Sequence, residues 1–137
     1  MTNAELARAI IAQALAAVPR GALPLIFGGG AEPLPEEALI LTAEQTVRDD
    51  FGALETTLNL SLMAAAEPRT HALAAALEQT LALLTPAALD THAEHFALPA
   101  GTVHAFAYDG QTAVYDDTGS ALITFTMRLT LPPALEA

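Results

Sequence analysis

Two long segments of this chain have side chains that alternate strictly between apolar and polar, and they leave it few folds to choose from. In the first, Leu54, Thr56, Leu58, Leu60 and Leu62 fall on one side, and Glu55, Thr57, Asn59 and Ser61 on the other. In the second, Ala121, Ile123, Phe125, Met127, Leu129 and Leu131 lie opposite Thr124, Thr126, Arg128 and Thr130. Successive side chains of a strand point to opposite faces, so a period of two held this long predicts strands with one dry and one wet face. Such strands belong to antiparallel sheets, because parallel strands are buried on both sides and read as continuous apolar runs. The dry face then needs a cover from elsewhere in the chain.

Two helical segments supply it. Thr2 and Glu5 have the spacing of a capping box, and Leu6, Ile10, Leu15 and Val18 follow on one helical face. Pro68 opens a second helix at the position where its missing amide costs nothing. Leu73, Leu77, Leu81 and Leu84 form its apolar stripe, and Thr85-Pro86 ends it. Between the helices, residues 23–27 (LPLIF) read as a short strand and 28–37 as a Gly/Pro-rich mobile loop. Leu39, Leu41 and Ala43 alternate with Ile40, Thr42 and Glu44 in a further strand, joined to the next by residues 48–52. Residues 86–99 are expected to form a short helical turn and a loop.

Toward the C-terminus, Thr102–Tyr108 and Gln111–Tyr115 are expected to pair as a hairpin across Asp109-Gly110, a dipeptide suited to positive φ. Asp116-Asp117-Thr118-Gly119 makes a second turn into the last strand, and Pro132-Pro133 stops that strand, leaving 132–137 as a tail. The expected fold is α+β: one domain over 1–137, with two main helices packed on one face of an antiparallel or mixed sheet carrying long hairpins. At ~3.3 Å per residue the last strand would run about 35 Å. A domain of this size has a radius of gyration near ~14 Å, so the strand must bend or project, which favours an oligomer.

The composition narrows the function. The 137 residues hold 16 acids and 5 bases, all of them Arg, for a net charge of −11. Adhesion to nucleic acid or anionic lipid needs clustered cations and is not expected. With no cysteine there is no disulfide framework, thiolate metal site or cysteine nucleophile. No run of about 18 apolar residues suggests a membrane span, and no cationic lead-in precedes an apolar core at the N-terminus, so export is not expected.

No catalytic, cofactor-binding or metal-binding residue is assigned. His92 and His95, beside Asp90 and Glu94, have a spacing that metal sites use, but no motif fixes a third ligand. His71 and His104 read as surface residues. The triplet Gly28-Gly29-Gly30 is followed by Ala31, Glu32 and two prolines instead of the Lys and Ser/Thr or the helix that a phosphate loop needs. The pairs Asp49-Asp50 and Asp116-Asp117 fall at turns, where Asp is favoured for its local hydrogen bonds. Ser61 and Ser120 lack a nucleophile elbow. Arg128, on a wet strand face, suits an acid within the chain or across a subunit contact.

Two blocks carry a family resemblance. Residues 55–84 (ETTLNLSLMAAAEPRTHALAAALEQTLALL) run from an alternating strand through a polar break into an Ala/Leu helix. Residues 98–131 (LPAGTVHAFAYDGQTAVYDDTGSALITFTMRLTL) give a Leu-Pro-x-Gly opening, a strand, an acidic turn and a long closing strand. In this the chain resembles the tail terminator, or tail completion, proteins of long-tailed phages and gene transfer agents, and the related neck proteins. It departs from their pattern in the Gly/Pro-rich region 28–37 and in its acidity. The resemblance implies a small α+β structural protein of the virion, without a cofactor. It implies a ring, typically of six copies, at the head-proximal end of the tail tube, where it stops tube growth and joins tail to head. Its partners would be its own copies, the tail tube protein and a neck or head-completion protein. DNA would pass through without specific binding, which an acidic lumen favours. Strand length and turn placement put the subunit contacts at Arg48, Asp49, Asp50 and Phe51, around Tyr108, Asp109 and Gln111, and at Arg128. Two other readings are a small ligand- or peptide-binding regulatory module using the sheet and loop 28–37, and a metal-dependent hydrolase built on His92 and His95.

Overall fold

Helix α1 (Asn3–Leu15) begins as its sequence dictates. The Thr2 hydroxyl accepts the Glu5 N–H and the Glu5 carboxylate accepts the Thr2 N–H, both at 3.1 Å, which satisfies two amides that the first turn leaves open. The computed structural model describes residues 2–19, 23–28, 37–48, 53–93 and 103–132. Its other elements are β1 (Leu25–Phe27), β2 (Ala38–Arg48), β3 (Leu54–Ala65), α2 (Pro68–Leu83), α3 (Pro86–Ala93), β4 (Ala105–Tyr115) and β5 (Ser120–Leu131). The fold is therefore α+β. Among the described residues no single helix is long and apolar enough to cross a membrane.

The five strands form one sheet in the order β1-β2-β3-β5-β4. Among the described residues, β1 and β2 run parallel and the other three pairings are antiparallel. The two alternating segments lie side by side at the centre, with Leu58, Leu60 and Leu62 of β3 opposite Met127, Phe125 and Ile123 of β5. All six are buried, and with Leu39 and Leu41 they form the dry face. Helix α1 covers it over β2, β3 and β5, and α2 covers it over β3 and β4. Ile10, Ile11 and Leu15 from α1, Leu77 and Leu81 from α2, and Leu89 from α3 fill the layer between. The α2 stripe differs from its periodicity: Thr70 and Ala74 are buried, whereas Leu73 and Leu84 are only half-buried. Helix α3 packs on α1 and realises the helical turn expected after Pro86.

One expectation is overturned. Asp109-Gly110 does not reverse the chain, and β4 runs unbroken from Ala105 to Tyr115. Tyr108 pairs with Met127 and Gly110 with Thr126, so Asp109 is an extra residue in a β-bulge. Tyr108, Asp109 and Gln111 are thus strand residues and not a hairpin tip. The physical reason is the length of β5, whose twelve residues pair with both halves of β4. The dipeptide's tolerance of positive φ is used all the same, since Gly110 sits at φ +105°. The reversal occurs only at Asp116–Gly119. There the Gly119 N–H donates to the Asp116 carbonyl, Gly119 adopts φ +86°, and the Asp116 N–H donates to the Ser120 carbonyl. This is a three-residue hairpin loop with a left-handed last residue. A second bulge, at Glu44, interrupts β2.

Candidate assembly surface

The face of the sheet away from the helices carries the wet phase of every strand. Register places its side chains in rows across the sheet. One row is Thr42, Asn59, Thr126 and Gly110; the next is Ile40, Ser61, Thr124 and Thr112. Hydroxyl and amide groups knit these rows together. Thr126 Oγ1 donates to Asn59 Oδ1 at 2.8 Å, Thr42 Oγ1 donates to the Asn59 carbonyl at 3.4 Å, and the Ser61 and Thr124 hydroxyls lie 3.4 Å apart. Cross-strand polar pairs of this kind stabilise a solvated face by a few tenths of a kcal/mol each, up to about 1.

At one end of this face the surface becomes charged. Arg128 donates from Nε and one terminal nitrogen to the two carboxylate oxygens of Asp109, at 2.9 and 3.1 Å. Its other terminal nitrogen lies 3.6 Å from Glu55 Oε2. Arg128 thus finds its acids within the chain. The hydrogen bonds it donates to Asp109, the Asp109 charge and that of Glu55 raise the guanidinium pKa above its ordinary value. All three groups are substantially exposed, so solvent screens the cluster and it adds little to stability. At the other end the surface becomes apolar: Met63, Leu122 and Val114 are aligned across β3, β5 and β4.

On the helix side of β4, the Tyr108 hydroxyl donates to Glu78 of α2 at 3.3 Å. Burial, the Glu78 charge and that hydrogen bond push the Tyr108 pKa up to about 12. Further along, the rings of His71 and Tyr115 lie 6.0 Å apart. The hairpin tip is fastened as well. Asp116 Oδ1 accepts from the Thr118 hydroxyl at 2.7 Å and from the Thr118 and Ser120 N–H groups, which lowers its pKa, and the Ala66 N–H donates to the Gly119 carbonyl. At the opposite edge, Arg8 lies over the Phe27 ring, 4.5 Å from its centroid, and donates to the Gly28 carbonyl at 3.4 Å.

Of the residues expected to make subunit contacts, Tyr108, Asp109, Gln111 and Arg128 all lie on β4 and β5. Tyr108 and Arg128 look to opposite faces, and the bulge puts Tyr108 and Gln111 on the same face. Arg48 ends β2, with its backbone opposite Leu54. Asp49, Asp50 and Phe51 lie outside the described residues, as do His95 and most of loop 28–37. His71 and His104 are exposed and His92 is half-buried. Among the described residues no group of three or more His, Asp or Glu is placed to hold a metal ion.

Periodicity alone missed the edge formed by β4. That strand ends the sheet order, and Gln111 through Tyr115 are all exposed, Val114 at 62% and Tyr115 at 54%. A signal was present in the sequence: Met63, Leu122 and Val114 are apolar residues in the wet phase of their strands.

No protein-family model matches the sequence, and no curated protein matches it. Among solved structures, the fold is similar to a chain from the virion of a native gene transfer agent particle. The TM-score is 0.57 with 19% identity, and the match covers 93% of this chain and 94% of that one. At this identity the two chains share a fold, over nearly their whole lengths.

Proposed function

We propose that this chain is a structural component of a virion, acting as a tail terminator: a ring at the head-proximal end of a tail tube that stops tube growth and joins tail to head. The observation that carries the reading is the shared fold, since the matching chain belongs to a virion and is covered almost end to end. The resemblance of residues 55–84 and 98–131 to tail terminators supports it from the sequence side. The charge fits the task as well. A ring traversed by DNA should not hold it, and a chain at −11 with five bases offers few of the cation–phosphate contacts that retain a duplex. The partners in this reading are further copies of the chain, the tail tube protein and a neck protein. The test is to produce particles without this chain. The reading expects tails of uncontrolled length that fail to join heads, with both defects rescued by supplying the protein. Particles of normal length and infectivity would contradict it.

A further inference from the structure

Both edge strands carry stretches without a charged side chain in a strongly acidic chain, and a cation, Arg8, lies over Phe27 beside β1. Residues 111–115 (QTAVY) on β4 and 23–27 (LPLIF) around β1 contain no charged side chain, although the chain carries −11 overall. Natural edge strands are ordinarily guarded by charges, prolines or bulges that prevent pairing with another chain. Here the bulge at Asp109 protects only the first half of β4, and Pro24 stands just before β1 with its carbonyl turned inward to Leu39. The second half of β4 is exposed, regular in register and uncharged.

The backbone on these edges is set for pairing. The Asp116 N–H donates to Ser120, and antiparallel bonding alternates, so the amides of Val114 and Thr112 face β5. Those of Gln111, Ala113 and Tyr115 face outward. On β1, the Leu39 N–H donates to the Pro24 carbonyl and the Gly28 N–H donates to the Leu41 carbonyl. The peptide groups of Leu25 and Phe27 therefore face away from β2. Directions agree too: β4 runs opposite to β1 within the sheet, so copies placed in one orientation bring β4 of one antiparallel to β1 of the next.

We propose that residues 111–115 of β4 dock against β1 of a second copy of this chain, making the sheets of successive copies continuous. Opposite edges meeting head to tail is the heterologous contact that a closed ring requires, whereas β4 against β4 would give a two-fold dimer. Charge selects the occupant. Like-charged copies repel, and a contact between residues 111–115 and 23–27, which hold no acid, lets them approach without setting carboxylate against carboxylate. This proposal rests on the ring reading and names the contact that builds it.

The test measures the mass of the full chain by light scattering over a range of concentrations, for wild type, Ala113→Pro and Val114→Lys. Ala113 directs its N–H outward, so proline there removes a docking donor without removing a bond within the sheet. Val114→Lys is the second variant should the first unfold, and circular dichroism checks the fold of both. Wild type is expected to form multimers, and each folded variant to lose them or to need about tenfold more protein. The natural absence of cysteine allows a second readout. Under oxidation, Ala113→Cys with Phe27→Cys should give a ladder of multimers, and Ala113→Cys alone none. Multimers unaffected by either folded variant would overturn the edge contact while leaving the ring standing. Cross-linked dimers from Ala113→Cys alone would overturn it in favour of two-fold pairing. A wild type that stays monomeric throughout would overturn the ring itself.

Discussion

Gly110 occupies φ +105°, a conformation that a side chain strains, and nothing lies within 4 Å of where its Cβ would be. Gly110→Ala therefore tests backbone strain separately from crowding. It should cost about 1–2 kcal/mol, seen as a fall of roughly 3–8 °C in Tm. Gly28→Ala tests the other case, because a Cβ there would overlap the Thr42 Cγ2 methyl. It should destabilise, and Thr42→Ser, which removes that methyl, should restore part of the loss in the same thermal measurement. Tyr108 gives a pH signature. Its pKa is raised from 10.0 to about 12, so its contribution to stability is complete below pH 10 and is lost as pH rises through about 12. In a Tyr115→Phe background, which leaves one tyrosine, phenolate absorbance should titrate near 12. Adding Glu78→Gln should bring the midpoint down, because the neighbouring negative charge is gone. At the acid end Asp116 has the opposite sign. Its lowered pKa stabilises the hairpin loop above the ordinary carboxylate pKa, and that support is lost as pH falls through the lowered value.

The strands and helices divide into those whose pattern is local and those whose geometry depends on a partner. The alternation of β3 and β5 and the capping box of α1 were legible because each is written in consecutive residues and satisfied by the element itself. The β4 bulge was not. Asp109-Gly110 reads equally well as a turn or as a bulge, and only the length of β5, read together with the Asp116–Gly119 turn, decides between them. The same holds for the burial of Thr70 and Ala74 in α2, which the position of that helix over β4 determines and its own periodicity does not. Of the expected contact residues, Asp109 and Arg128 proved to be partners of each other, a pairing set by strand register. Energetics follow the faces. Leu60→Ala, in the fully buried centre of β3, should cost about 2–5 kcal/mol in denaturant unfolding. Thr57→Ala, one face away on the same strand, should stay within about 0.5 kcal/mol of wild type.

For the molecule as a whole, a one-sided sheet with helices on its inner face, a hydroxyl-rich outer face and two edge segments that hold no acid is suited to lateral repetition. Charge opposes that repetition and edge pairing drives it, so the balance should respond to salt in a definite direction. At about 0.1 M ionic strength the screening length falls to roughly 10 Å. Added salt should therefore strengthen self-association, the reverse of an interface held by ion pairs, and light scattering across a salt series reads the sign directly. Duplex DNA should show no retention by the protein even at low salt, where cation–phosphate contacts are strongest. If identical copies close into a ring, negative-stain images of the purified chain at high concentration and moderate salt will show it. Annular particles with an opening wide enough for a DNA duplex are expected. A field of single small particles, unchanged as protein and salt are raised, would contradict it.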